Sequence, residues 1–187
     1  MEHQPKADRR NTEQGPWNSP KKIMIIGCGG SGKSTLARKI HQITGLPLIH
    51  MDQYFWAPNW EEPDREVWTQ TVSTQSDQLA WIMDGNYGGT MDIRFQKADL
   101  IIFLDRSRWL CLFRIIWRQL KYYGRTRPDM TEGCTERLTW EFVKYVYGYN
   151  DTRRPGILEK LHTFKGSKKV LILSNRKQIK QCLQKMT

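Results

Sequence analysis

The apolar positions of the chain fall into short runs separated by amphipathic stretches. Lys21–Gly27 (KKIMIIG), Leu46–Met51 (LPLIHM), Trp81–Asp84 (WIMD), Leu100–Asp105 (LIIFLD) and Lys168–Leu173 (KKVLIL) are too short for ordinary helices and rich in aliphatic residues. Runs that are apolar at successive positions predict strands buried on both faces. Between them the period becomes helical. Leu36, Ile40 and Ile43 share one face of a segment from Lys33 to about Thr44, which Gly45 and Pro47 close. Further helices are predicted from Pro63 and Asp64 to about Ala80, from Ser107 to about Tyr123, as one or two elements within 135–164, and over 175–185. Gly85–Thr90 reads as a glycine-rich turn and Gly124–Cys134 as a loop. Strands alternating with helices predict an α/β, three-layer architecture, a parallel sheet covered on both faces. Residues 53–80 and 106–150 read as insertions over the sheet edge, the second of them lid-like.

Residues 1–20 mix Pro, Gly, Asn, Gln and charges without period, and are expected to form a disordered tail with Trp17 as its one anchor. They lack the apolar stretch of a secretory leader. The remaining 21–187 form the expected single domain. No apolar run approaches the roughly 20 residues of a membrane span. Cys28, Cys111, Cys134 and Cys182 show no CxxC spacing, which argues against a zinc site or a disulfide framework. Free thiols fit a reducing, cytoplasmic setting. The net charge of +11 is unevenly spread: residues 106–127 hold seven bases and no acid, whereas 23–105 hold six bases against ten acids. A localised positive field suits a polyanion such as a nucleotide or nucleic acid; a plain solvated basic surface is the other reading.

Gly27-Cys28-Gly29-Gly30-Ser31-Gly32-Lys33-Ser34 matches GxxxxGK[ST] in full, after one predicted strand and at the start of a predicted helix. That context identifies a phosphate-binding loop. Glycines let the backbone turn its N–H groups onto phosphate oxygens, and the helix N-terminus adds a favourable dipole. Gly27, Gly29, Gly30, Ser31, Gly32, Lys33, Ser34 and Thr35 are the candidate nucleotide-binding residues. Lys33 supplies a charge to the β- and γ-phosphates, and Ser34 a hydroxyl to Mg²⁺. Cys28 is read as a tolerated small residue rather than a redox switch.

Asp52, Asp84 and Asp105 stand at predicted strand C-termini, the edge where open α/β sheets bind ligands. Asp84 is the candidate to support magnesium, and Asp52 the candidate to orient an acceptor or take its proton. Asp105 reads as a helix N-cap. Arg114, Arg118 and Lys121 fall on one face of the predicted helix from Ser107, and Arg125 and Arg127 follow in the loop. A mobile arginine-rich lid of this kind closes over transferring phosphoryl groups. Arg94 is a weaker candidate for an acceptor anion. Tyr54, Phe55, Trp56 and Trp60 either stack a planar base or plug the core beneath a loop.

With these residues in hand, the chain resembles P-loop kinases of the adenylate-kinase-like group. More closely, it resembles the bacterial DNA topology modulation protein family, over roughly 21–185. The carriers are KKIMIIGCGGSGKSTLA, HMDQYFWAPNW, WIMDGNYGGTMDIR, LIIFLDRSRWLCLFRIIWRQL, YGRTRPDMTEGC and RPGILEKL. The resemblance implies a five-stranded sheet of order 2-3-1-4-5, binding of ATP and Mg²⁺, and a lid after the fourth strand. In adenylate kinases the third strand ends in an Asp-Gly turn bearing an arginine. Asp84-Gly85 matches its start, and Asn86 and Tyr87 stand where that arginine turn would be. The expected activity is transfer of the γ-phosphoryl of ATP to a nucleotide, nucleoside or other hydroxylated metabolite. The alternative is a nucleotide-dependent regulator that binds DNA, although nothing resembles a DNA-reading motif.

Overall fold

A computed structural model describes residues 20–164 and 166–187. The expected tail and Trp17 lie outside the described residues. Five strands, β1 (Lys22–Gly27), β2 (Leu48–His50), β3 (Trp81–Asp84), β4 (Leu100–Leu104) and β5 (Lys169–Leu173), form one parallel sheet of order β2-β3-β1-β4-β5. Both the architecture and the strand order are as expected.

Helices cover both faces. On one lie α1 (Lys33–Thr44) and α8 (Arg176–Gln184), packing Leu36, Ile40 and Cys182 on Ile23, Ile25 and Ile102. On the other, α3 (Arg65–Asp77), α4 (Met91–Lys97), α5 (Arg108–Lys121), α6 (Trp140–Thr152) and α7 (Arg154–Thr163) bury Trp68, Phe95, Ile115 and Tyr149 against Met24, Ile26 and Phe103. The middle strands touch apolar side chains above and below, which is why their sequences are continuously apolar rather than alternating.

Two local expectations are corrected, and one helix is added. β2 stops at His50, and Met51–Phe55 forms a short helix, α2, within the expected strand end and aromatic loop. Helix α4, which no sequence pattern indicated, is seven residues long, too short to show a helical period. Helix α3 ends at Asp77 rather than near Ala80. There the Ser76 carbonyl accepts from the Trp81 indole at 3.2 Å and the Lys22 ammonium at 3.1 Å, so a terminal carbonyl is satisfied outside the helix.

The 106–150 segment does not hang free of the sheet. Helix α5 packs on α6, and both bear on the phosphate loop. A β-carbon on Gly29 would meet Phe142 at 2.7 Å, and one on Gly30 the Cys111 carbonyl at 2.5 Å. Gly30 also has φ +77°, so this contact admits glycine on both conformational and steric grounds.

Candidate active site

The loop between β1 and α1 forms the floor of a cavity of about 830 Å³. Its shape is braced by side chains around it. Arg114 lines the cavity, and its Nη1 donates to the Ser31 carbonyl at 3.0 Å and the Gly30 carbonyl at 3.3 Å. Gly27 N donates to Asn86 Oδ1 at 3.0 Å, and Asn86 Nδ2 donates to the Tyr145 hydroxyl at 2.9 Å, tying loop, β3 turn and α6 together. Gly29, Gly30, Ser31, Gly32, Lys33, Ser34 and Thr35 all line the cavity, whereas Gly27 does not. Lys33 Nζ donates across the loop to the Cys28 carbonyl at 3.1 Å. The Ser31 hydroxyl is buried without a partner, an unused polar atom in the cradle.

Asp52, Asp84 and Asp129 converge on the same cavity. The Asp52 carboxylate accepts from the Tyr87 hydroxyl at 2.5 Å. Burial raises its pKa; the Tyr87 hydrogen bond opposes this only in part. Asp84, 5% exposed, is hydrogen-bonded to His50 Nδ1 at 2.6 Å. Burial by itself would lower the His50 imidazole, but the hydrogen bond and charge of Asp84 outweigh it and raise the pKa. Asp129 was not singled out in the sequence. It comes from the loop after α5, pairs with Arg127 at 2.9 Å and lies against Ser34. Burial works against its charge, yet Arg127, the Ser34 hydroxyl and His50 together hold its carboxyl below the usual range. The only local signal was an Arg-Pro-Asp run in a predicted loop, and nothing in it indicates contact with a serine 95 positions earlier.

The basic segment separates into distinct roles. Glu136, 5% exposed, pairs with Arg118 at 2.7 Å and Arg127 at 2.5 Å, holding both at the cavity wall. Arg125 is exposed and does not line the cavity. Arg106 is buried and donates to the Ser174 carbonyl at 2.8 Å. Asp105 makes a bidentate pair with Arg154 at 2.8 Å instead of capping α5, whose N-cap is Ser107. Arg94 cannot reach an acceptor anion. It is fully buried, and its guanidinium donates to the Gly85 and Asn86 carbonyls at 2.8 and 2.5 Å, fixing the turn after β3. Burial pushes its pKa down to about 10.

The aromatic cluster divides between core and cavity. Phe55 packs edge-on against Trp68 and beside Tyr87, in the core beneath the loop. Trp56 and Trp60 line the cavity, and the Arg137 guanidinium stands 4.6 Å from the Trp60 ring centre. Cys28 and Cys111 are both buried; the hydrogen bond between them raises Cys28 and lowers Cys111. Among the described residues, no cluster of three or more His, Cys, Asp or Glu could hold a metal, so any cation here would depend on Ser34 and phosphate oxygens as well.

Comparison with solved structures bears on the fold. Shikimate kinase from Acinetobacter baumannii in complex with shikimate superimposes with TM-score 0.57 at 17% identity, covering 89% of this chain and 90% of that one. Gluconokinase from Sinorhizobium meliloti 1021 gives TM-score 0.52 at 16% identity, covering 90% of both chains. The fold is that of the P-loop kinases. Shikimate kinase from Bacteroides thetaiotaomicron also shares it, with TM-score 0.51 at 16% identity, over 90% of this chain and 97% of that one. No protein-family model matches the chain, and no curated protein matches it.

Proposed function

We propose that the chain is a Mg-ATP-dependent phosphotransferase that moves the γ-phosphoryl of ATP to a small hydroxylated acceptor. The observation that carries this reading is the convergence of a complete phosphate loop with three carboxylates and two clamped arginines on one open cavity. The partnerless Ser31 hydroxyl and the hard oxygen donors Ser34, Asp84 and Asp129 fit magnesium and phosphate. Magnesium, when bound, neutralises charge on the β- and γ-phosphates. The loop N–H groups and Lys33 hold the phosphates, with Lys33 leaving the Cys28 carbonyl to do so. Asp52 takes the proton of the acceptor hydroxyl. Its raised pKa makes it a better base than an exposed carboxylate, and Tyr87 orients it. Arg118 and Arg127, held at the wall by Glu136, stabilise charge on the transferred group, and Arg114 stiffens the loop beneath it. Trp56, Trp60 and Arg137 form the flat, cationic wall available to the acceptor.

One of the neighbours is a gluconokinase and two are shikimate kinases, so a sugar acid and shikimate join the nucleosides and nucleotides as acceptors to test. Within the kinases, the DGNYGGT turn and TRPDMTEGC loop keep the topology modulation proteins as the proposed relation. The unbridged thiols fit a cytoplasmic setting. The test is transfer from γ-labelled ATP with Mg²⁺ to a panel of nucleosides, nucleoside monophosphates, sugar acids and small alcohols. Lys33→Ala is expected to lower turnover at least 100-fold; a near-normal rate in that variant would sink the mechanism.

A further inference from the structure

Helix α5 has two apolar faces. The inner one carries only Cys111 and Ile115 as fully buried residues. The outer one carries Trp109, Phe113, Ile116, Trp117 and Leu120, which are 67, 63, 50, 61 and 69% exposed. At 3.6 residues per turn these five fall within an arc of about 100°. The face the sequence marks as apolar is therefore turned largely to solvent, along a 14-residue helix about 21 Å long. Tyr123 extends the patch past the helix end, and Tyr147 of α6 extends it sideways in ring contact with Trp109. Soluble chains rarely leave such a contiguous apolar surface uncovered.

We propose that this face is a docking surface for an anionic lipid bilayer, on which α5 lies in the plane of the interface. The choice of occupant rests on charge. Lys121, Arg125 and Lys144 border the patch, and none has a carboxylate partner among the described residues; Lys121 and Trp117 also line the cavity, so the patch adjoins its rim. Helix α6 carries two exposed acids, Glu141 beside Trp140 and Asp151, which Arg108 already holds at 2.8 Å. A second copy docked through the same face would set these unpaired cations against their own kind. An anionic headgroup layer attracts them while the patch enters the acyl boundary. The composition agrees, since Trp, Tyr and Phe mixed with Ile and Leu suit an interface that is wet on one side and apolar on the other. Among the described residues no helix is long and apolar enough to cross a membrane, so the contact is peripheral.

The test is co-sedimentation of the full chain with vesicles of phosphatidylglycerol and phosphatidylcholine, against vesicles of phosphatidylcholine alone, in about 0.1 M salt. Binding is expected to be at least tenfold tighter to the anionic vesicles, to weaken with salt and to shift tryptophan emission to the blue. Trp109→Glu with Phe113→Glu should reduce it at least tenfold while the chain still unfolds in one cooperative transition, because both side chains are largely exposed and the Trp109–Tyr147 ring contact lies at the surface. Trp109→Ala with Leu120→Ala provides a milder second variant. Absence of vesicle binding, or equal binding to both vesicle types, overturns the proposal. So does a dimer, seen by light scattering, that the same substitutions dissolve, or single-stranded DNA binding that they abolish without any vesicle binding. None of these measurements involves ATP, so their outcome is independent of the kinase reading.

Discussion

At the scale of single residues, the site couples groups whose charges depend on one another. His50 and Asp84 form the clearest case, a buried imidazole on a buried carboxylate at 2.6 Å. The folded state raises the pKa of His50. Its contribution to stability is therefore complete below the imidazole's unfolded value, about 6.5, and is lost as pH rises through the higher folded value. His50→Gln should remove that dependence. Melting curves of both proteins between about pH 5.5 and 8.5 check it: the advantage of the parent chain over the variant should shrink as pH rises. Asp52 also titrates with a raised pKa, but it is common to both proteins and cancels in the difference. Parallel curves would show that the pair carries no net charge coupling.

At the scale of elements, the loop between α5 and α6 is kept in shape by one acid. Glu136 is enclosed, and its two oxygens face Arg118 and Arg127. Removing its charge leaves two cations close together at the cavity wall. Breaking a buried pair of this kind costs about 3 kcal/mol. Glu136→Gln is therefore expected to destabilise the chain by about that amount in urea unfolding, and to lower turnover by releasing both arginines from their positions. A change below about 0.5 kcal/mol would mean that solvent already screens the cluster. Most elements were legible in the sequence, and the exceptions share a physical cause. The strands β1, β3 and β4 announce themselves because burial on both faces demands continuous apolar runs, and the edge strand β5 keeps such a run although it is only partly buried. Helix α4 does not, because Met91 and Phe95 make a single apolar pair across one turn. The role of Arg94 was hidden for a related reason. An arginine after a glycine turn looks like an anion ligand, and only the packing of α4 shows that backbone carbonyls consume its donors.

At the scale of the whole molecule, the sequence revealed the half of the site built from local contacts and concealed the half built across the fold. The phosphate loop was readable because strand, glycines, lysine and helix are contiguous. Asp129 against Ser34, Trp60 donating to the Thr135 carbonyl at 3.1 Å and Gln53 donating to the Pro128 carbonyl at 3.0 Å join segments 75 or more positions apart, which no local pattern encodes. The first of these contacts joins the lid-like segment to the phosphate loop and the other two join it to the 53–60 segment, so a ligand held among them should stabilise the chain as one body. Mg-ATP at 100 times its dissociation constant adds about 2.7 kcal/mol to a folded state that alone binds it. For a chain of 187 residues this corresponds to a rise of about 5–10 °C in melting temperature. The transition should remain single, because α5 and α6 bear directly on Gly29 and Gly30 and cannot melt without disturbing the loop. Scanning calorimetry with and without Mg-ATP checks both points. If the nucleotide split the transition in two, with only the upper part shifted, the 106–150 segment would unfold on its own, and its arginines would reach the phosphates only as a mobile lid.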